Sequence, residues 1–211
     1  MGRAPLTGDS IKKMQIADHI IEKWLKTTTG GSTPEVAEVQ HLGFFDGGSR
    51  GNPGPGGSGS VVVEVRMGGD QDKLVWAACT ALASPKTTNN VAEFVGLHRV
   101  LSAMVDNGWT RAHIVGDSAL IIGMMNERRQ PKSRHIQHWY RLARRLADKC
   151  QIAKCSHNYR KANKAADWLA NFAIDNGKSM VYSATTEVGD HPLYRATANL
   201  VQGDLSRWKD S

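Results

Sequence analysis

The sequence predicts a mixed α/β fold, because short β-branched segments alternate with longer segments of helical periodicity. Three strand candidates come first, followed by a helix, a strand, two helices, a strand and a last helix. This order is typical of a sheet with helices packed against it. The length of 211 residues gives room for one domain of ordinary size together with terminal extensions.

The first 40 residues are predicted to precede that domain. Residues 10–27 place their apolar side chains on one helical stripe, which predicts an amphipathic helix. Residues 27–34 are rich in Gly, Ser and Thr and predict a linker. We therefore expect the domain to occupy residues 41–177, and residues 178–211 to form a C-terminal extension of weak periodicity.

The elements of the domain follow from local patterns. Residues 42–45 are apolar, residues 61–65 are β-branched, and the Gly- and Pro-rich residues 47–59 between them predict a long turn. Residues 90–106 have helical periodicity, and Gly108 is well placed to end that helix. The other predicted elements are strands over 74–80, 112–115 and 151–158, helices over 120–125 and 135–149, and a helix capped by Asn163 that reaches about Asp175.

The charge of the chain favours a polyanionic partner. Lys and Arg outnumber Asp and Glu by 27 to 20, which gives a net charge of +7. The surplus is concentrated between Arg128 and Lys164, where Asp148 is the one acidic residue. Such a segment suits a phosphate backbone, although a solvated helix face would show the same pattern.

The cysteines and the apolar segments indicate the compartment. The 3 cysteines are odd in number and lack CxxC spacing, which argues against a disulfide framework or a zinc site. No secretory signal and no apolar stretch long enough to span a bilayer is found. We therefore expect an intracellular protein, cytoplasmic or nuclear, with no membrane association.

Four carboxylates stand where predicted strands end or helices begin: Asp46, Glu93, Asp117 and Asp167. They can converge at one sheet edge, where oxygen ligands could hold two divalent ions about 4 Å apart. Each also has an ordinary structural explanation. Glu93 could complete a capping box with Asn90, Asp167 could interact with a helix dipole, and the other two could be turn or cap residues.

The context of these carboxylates resembles a known family. Residues 44–59, FFDGGSRGNPGPGGSG, resemble the opening motif of type 1 ribonuclease H, and three further motifs match in the family's order over residues 87–93, 115–118 and 163–170. The resemblance covers residues 41–176. It implies the RNase H-like fold, a mixed five-stranded sheet with helices on both faces, and a catalytic domain that hydrolyses the RNA strand of RNA–DNA hybrids.

The resemblance also implies a role for each carboxylate. Asp46 would bridge two Mg²⁺ ions, for which Mn²⁺ could substitute. Asp167 would complete one metal site, and Glu93 and Asp117 would complete the other. One ion would activate water, and the other would stabilise the leaving 3′ oxygen.

The family's substrate-binding positions correspond to Asn52, Thr88, Asn89 and Asn90. An Asn side chain can donate and accept, which suits a 2′-hydroxyl or a base edge in a shallow minor groove. Asn52 can equally be explained by turn chemistry. Thr88 matches a position that grips a DNA-strand phosphate. The implied partner is an RNA–DNA hybrid, which we expect to be bound by a monomer.

The sequence departs from the family at one loop. Lys161 stands where many relatives place a histidine shortly before the last catalytic Asp. This departure leaves the route of proton transfer undetermined, but it does not affect the assignment of the metal site. His157 is nearby, but it falls on a predicted strand and is interpreted as structural. The basic protrusion of some relatives is reduced to residues 128–134, so substrate binding would also draw on Arg141, Arg144 and Arg145.

The sequence offers two other functions. A catalytically weak or inactive RNase H-like module could bind nucleic acid or a protein partner, but the four intact carboxylates argue against it. An integrase or resolvase would need a different carboxylate spacing. Both a housekeeping enzyme and the ribonuclease H part of a retroelement polyprotein fit the sequence.

Overall fold

The structure is a computed structural model that describes residues 39–66, 72–158, 160–185 and 191–209. The predicted N-terminal helix and linker lie outside these residues. The described elements, in chain order, are β1 (Val39–Ser49), β2 (Gly56–Arg66), β3 (Lys73–Leu82), α1 (Asn89–Asp106), β4 (His113–Gly116), α2 (Ala119–Asn126), α3 (Arg134–Lys149), β5 (Lys154–His157), a 3₁₀ turn (Arg160–Ala162), α4 (Lys164–Asn176), β6 (Met180–Ser183) and α5 (Pro192–Lys209).

The strands form one mixed sheet in the order β5-β4-β1-β2-β3-β6. The first three strands pair antiparallel, whereas β4 runs parallel to β1 and β5 runs parallel to β4. The predicted α/β fold class is confirmed. Within the described residues the sheet has one strand more than the five predicted, because β6 pairs antiparallel with β3 at the edge.

Helices cover both faces of the sheet, as predicted, because strand side chains alternate between two cores. Phe44 and Val61 belong to one core, together with residues of α4 and α5. Phe45 and Val62, their chain neighbours, belong to the other core, together with residues of α1, α2 and α3. The sheet is therefore buried on both sides.

The Gly- and Pro-rich segment after β1 is more regular than the predicted long turn. Strand β1 continues to Ser49 and β2 begins at Gly56, so the turn between them covers only residues 50–55. The glycines of these strands let helices pack directly against the sheet backbone. A Cβ atom at Gly47 would lie 2.2 Å from the backbone carbon of Ala92 in α1.

Helix α4 approaches the sheet in the same way. A Cβ atom at Gly59 would lie 1.9 Å from the backbone oxygen of Ala166, well inside van der Waals contact. The absence of a side chain at Gly59 therefore fixes how close the first turns of α4 lie to β2. This spacing determines where the side chains of that helix turn can reach.

The C-terminal segment, for which no elements were predicted, forms β6 and α5. Helix α5 buries Leu193, Val201 and Leu205 in the core that it shares with α4. It also buries two polar residues, Thr197 and Asp204. These polar positions interrupt the apolar stripe, which explains why the periodicity of this segment is weak.

Two predictions about chemistry and environment bear on the described residues. Cys79, Cys150 and Cys155 are all buried and free, as the absence of a disulfide pattern predicted. Among the described helices, none combines the length and the apolar character that a membrane crossing requires.

We expect Gly59→Ala to lower the free energy of unfolding by about 1–3 kcal/mol, because the added methyl group would push α4 away from β2. Gly203→Ala, on α5, is the matched control, since a Cβ atom there would meet nothing within 4 Å. The control should be neutral or stabilising by up to about 1 kcal/mol. Chemical denaturation of both variants measures the difference, and equal stabilities would contradict the proposed close approach.

Candidate active site

Three carboxylates from separate elements meet at one end of the sheet. Asp46 lies in β1, Asp117 follows β4, and Glu93 lies in α1, and one ligand oxygen of each lies within 4.8 Å of the others. The pairing of β1 and β4 explains part of this geometry. These strands run parallel with Phe45 opposite Gly116. The residues that follow, Asp46 after Phe45 and Asp117 after Gly116, are therefore neighbours across the two strands. We call these three residues the carboxylate cluster.

Helix α1 brings Glu93 to this position. Its N-cap is Thr88, whose Oγ1 accepts a hydrogen bond from the Val91 N–H at 3.4 Å. The capping-box explanation of Glu93 is therefore wrong, because the residue three positions after the cap is Val91. The close contact of α1 with Gly47 then holds the helix against β1 near Glu93.

Asp167 lies in the first turn of α4, beside the cluster rather than within it. Its charge is nevertheless near enough to raise the pKa of Asp46. The Asn171 side chain, one turn further along, donates to the Asp167 backbone oxygen at 2.9 Å and to its Oδ1 at 3.2 Å. Asn171 was not predicted from the sequence; its position four residues after Asp167 is the signal that could have found it.

Asp46 is the electrostatic centre of the site. Burial raises the pKa of its carboxyl to about 8, and the charge of Asp117 raises it next most strongly, with smaller effects from Asp167 and Glu93. A hydrogen bond from the Gly47 N–H to Oδ1, at 2.7 Å, acts in the opposite direction. Its other oxygen, Oδ2, is buried and has no hydrogen-bond partner among the described residues.

The donor set fits a divalent metal ion. Carboxylate oxygens are hard ligands, which divalent cations such as Mg²⁺ and Ca²⁺ prefer, and a buried oxygen without a hydrogen-bond partner gains most from a cation. A bound cation would also reverse the unfavourable interactions among the carboxylates. The cleft around them has a volume of about 390 Å³ and is also lined by Ser49, Arg50, Asn89 and Asn171.

The four predicted substrate-binding residues cluster beside this cleft. The Asn52 Oδ1 accepts a hydrogen bond from the Asn89 N–H at 3.0 Å, which ties the turn between β1 and β2 to the start of α1. The Asn89 Oδ1 accepts from the backbone N–H and the hydroxyl of Ser49, at 2.9 and 3.0 Å. Both residues therefore have a structural role, and Asn89 also lines the carboxylate cleft.

A larger groove lies next to the cleft, with a volume of about 1030 Å³. Asn52, Thr88 and Asn90 line it, whereas Asn89 lines the carboxylate cleft. The opposite wall is formed by the start of α3 and the residues before it, including Ser133, His135, Ile136 and Trp139. We call this the α1–α3 groove.

His157 and Lys161, the two residues near the loop before Asp167, lie in different elements. His157 lies at the end of β5, where it is exposed and its Nε2 donates to the backbone oxygen of Asp117 at 3.1 Å. Lys161 lies in the 3₁₀ turn, and its backbone oxygen accepts a hydrogen bond from the Arg207 guanidinium. His157 is therefore held by a contact with the backbone of Asp117.

The predicted basic surface on α3 is confirmed only in part. Arg141 and Arg145 are exposed. Arg144 is instead engaged within the protein, because it donates to the Met125 backbone oxygen at 2.8 Å and to Asp148 Oδ1 at 2.7 Å. Arg144 therefore holds α3 to the end of α2, whereas Arg141 and Arg145 face solvent.

Comparison with known proteins finds a matching family model and several relatives. A family model described as reverse transcriptase-like matches residues 44–173. A bifunctional protein of Mycobacterium tuberculosis is 38% identical over 130 residues, which are 62% of this chain and 34% of that protein, so the chain spans about a third of its length. Ribonuclease HI of Halobacterium salinarum is 32% identical over 159 residues, covering 70% of this chain and 74% of that protein.

Solved structures agree with these matches. RNase H1 of Halobacterium salinarum superposes with a TM-score of 0.57 at 30% identity, covering 65% of this chain and 98% of that chain. LC11-RNase H1, solved in complex with an RNA/DNA hybrid, has a TM-score of 0.54 at 28% identity, with 65% and 99% covered. The last two elements of the present chain, β6 and α5, lie beyond the residues that the family model matches.

The raised pKa of Asp46 predicts a pH-dependent effect of Asp46→Asn in metal-free buffer. The folded protein holds this proton up to about pH 8, whereas an unfolded Asp loses it near its model value of 3.8, so ionisation costs stability as pH rises through that window. Asn removes the cost. We expect the melting temperature of the variant to exceed that of the wild type, by more at pH 9 than at pH 5, at about 2–4 °C for each kcal/mol.

Asp106→Asn is the matched control, since Asp106 is an exposed carboxylate at the end of α1. Its melting temperature should follow the wild type at both pH values, with chelator present throughout. A gain for Asp46→Asn that does not change between pH 5 and pH 9 would contradict the electrostatic account.

Proposed function

The chain belongs to the ribonuclease H-like family, and on that premise we propose that it is an endonuclease that hydrolyses the RNA strand of RNA–DNA hybrids. One observation carries the proposal: one oxygen each of Asp46 in β1, Glu93 in α1 and Asp117 after β4 lies within 4.8 Å of the others. Asp167 adds a fourth charge that reaches Asp46. The hybrid bound by LC11-RNase H1 supports the choice of substrate.

We propose that these four carboxylates hold two Mg²⁺ ions, for which Mn²⁺ can substitute. When bound, such ions supply a water of lowered pKa and a Lewis-acid contact for the leaving 3′ oxygen. Asp46 would be central to holding these ions, because the charges of Asp117, Asp167 and Glu93 all act on its carboxyl. Its buried Oδ2 has no hydrogen-bond partner among the described residues and could bind a cation.

The two strands of a hybrid would occupy different parts of the surface. The strand that is cut must lie at the carboxylate cleft, so the RNA passes there and the DNA strand lies in the neighbouring α1–α3 groove. Thr88 is suited to a DNA phosphate, because its Oγ1 accepts from Val91 while its O–H remains a donor. Lys86 lines the same groove and adds a positive charge.

The asparagines would contact the minor groove between the two strands of the hybrid, because Asn89 lines the carboxylate cleft whereas Asn52 and Asn90 line the α1–α3 groove. The side-chain oxygens of Asn52 and Asn89 already accept hydrogen bonds inside the protein, so their Nδ2 groups are the atoms with which they would approach a 2′-hydroxyl. A 2′-hydroxyl in the wide minor groove is the group by which RNA differs from DNA. This placement accounts for a requirement for RNA in the strand that is cut.

We expect cleavage of only one substrate in a set of four: an RNA–DNA hybrid, double-stranded RNA, single-stranded RNA and a DNA duplex, each end-labelled. The RNA strand of the hybrid should be cut when Mg²⁺ is present and left intact without it. Asp46→Asn should lower cleavage below detection and retain hybrid binding, because the substitution leaves the exposed arginines and Asn52, Asn89 and Asn90 in place. Asp106→Asn should cleave like the wild type.

Equal cleavage of double-stranded RNA would contradict the proposed reading of the hybrid. A rate for Asp46→Asn near that of the wild type would contradict the metal assignment. Binding measured by fluorescence anisotropy on the same hybrid separates a loss of catalysis from a loss of affinity.

The exposed arginines of α3 predict a salt-dependent affinity. Removing one side chain that binds a phosphate should reduce the slope of log affinity against log salt by about 1. We therefore expect Arg141→Ala and Arg145→Ala each to flatten the slope and to weaken binding at low salt. Arg66→Ala, which removes an exposed arginine of β2, should leave the slope unchanged. Identical slopes for all three variants and the wild type would show that α3 does not bind the phosphate backbone.

A further inference from the structure

The N-terminus of α4 is capped by a residue from another helix. Asn163 occupies the N-cap position, but it makes no side-chain cap bond, because its fully buried amide donates to the Phe45 backbone oxygen at 2.9 Å. The cap comes from Asp204 of α5. Its Oδ1 accepts from the Lys164 N–H at 3.0 Å and its Oδ2 accepts from the Ala165 N–H at 2.9 Å. Asn163 therefore occupies the predicted cap position, but its side chain does not supply the cap.

These two amides belong to the first turn of α4, whose N–H groups have no partner within the helix. A carboxylate at this position satisfies the donors and interacts favourably with the helix dipole. The same turn carries Asp167, whose own N–H donates to the Asn163 backbone oxygen at 3.1 Å. The conformation of this turn therefore depends on Asp204 at one end and on Asn163 at the other. The direction of the Asp167 carboxylate follows from that conformation.

Helix α5 holds Asp204 firmly in place. Asp204 is 1% exposed and lies between the buried residues Val201 and Leu205 in sequence. Further along the helix, Arg207 donates to the backbone oxygen of Lys161, in the 3₁₀ turn just before α4. The Trp208 ring packs edge-on against His113 of β4, with ring centroids 5.5 Å apart. Helix α5 thus contacts the segment before Asp167 and the strand that leads to Asp117.

We propose that Asp204 is a positioning residue of the active site: through the first turn of α4 it holds Asp167 beside the carboxylate cluster and so sets the affinity for divalent metal. This rests on the nuclease function proposed above. Asp204 lies beyond residues 44–173, so the family match does not include it. The C-terminal helix is then a part of the site and not merely an appendage to the domain.

The test compares Asp204→Ala and Asp204→Asn with Val201→Ala in the full chain. The Ala variant loses both acceptors, and the Asn variant keeps one. Val201→Ala is the matched control, because it removes buried methyl groups from the same helix and leaves the Asp204 carboxylate in place. Three quantities are measured: hydrogen exchange of the amides over residues 164–167, Mg²⁺ affinity by calorimetry, and the Mg²⁺ concentration that gives half-maximal cleavage of the hybrid.

We expect Asp204→Ala to speed amide exchange in this turn and to raise the Mg²⁺ requirement by about tenfold, at the lower end of the effect of outer-shell residues. The calorimetric affinity should weaken in parallel, and KM for the hybrid should be unchanged. Asp204→Asn should show a smaller effect in the same direction. Val201→Ala should lower the melting temperature but leave the Mg²⁺ requirement at the wild-type value.

An unchanged Mg²⁺ affinity in Asp204→Ala would overturn the proposal, and so would an equal loss in Val201→Ala, which would show that helix stability alone matters. If Asp204→Ala does not fold, Asp204→Asn decides by the same criteria. Failure of the wild type to cleave the hybrid would reject the proposed function instead. In that case amide exchange and calorimetry with Mg²⁺ still decide whether Asp204 controls the metal site.

Discussion

The burial of Asp46 next to other carboxylates is the constraint on which the rest of this site depends. Its side chain is 4% exposed, and neither solvent nor a positively charged side chain compensates its charge in the arrangement described. Such a group is unfavourable to folding unless it is protonated or bound to a cation. The crowding of carboxylate oxygens in one small volume therefore lowers the free energy of unfolding.

Backbone contacts achieve the convergence. The glycines at positions 47 and 59 let α1 and α4 touch the sheet where a side chain would keep them apart, and these helices carry Glu93 and Asp167. The parallel pairing of β1 and β4 places the other two carboxylates side by side. Asp204 then fixes the first turn of α4 from outside that helix. The glycine contacts, the strand pairing and the Asp204 cap therefore each position one or more of the four carboxylates.

Much of the fold and site could be predicted from the sequence because local patterns determine them. The strand alternation, the helix periodicity and the motif around Asp46 each depend on neighbouring residues. The C-terminal helix could not be recognised in this way, since buried Thr197 and Asp204 interrupt its apolar stripe. The partners of Asp204 are 39 and 40 residues away, a distance at which sequence alone gives no signal. At Asn163 the local signal is present but misleading. Asn is typical of a helix cap, yet here its side chain donates to the Phe45 backbone oxygen instead.

The central claim is that four carboxylates act together through bound divalent ions. The most direct test is single-turnover cleavage of an end-labelled hybrid over a range of Mg²⁺ concentrations, by the wild type and by Asp46→Asn, Glu93→Gln, Asp117→Asn and Asp167→Asn. The account predicts cleavage by the wild type that rises with Mg²⁺ and stops with chelator, and a severe loss in every variant. Cleavage that persists in excess chelator, or a variant that retains the wild-type rate and Mg²⁺ dependence, would contradict it.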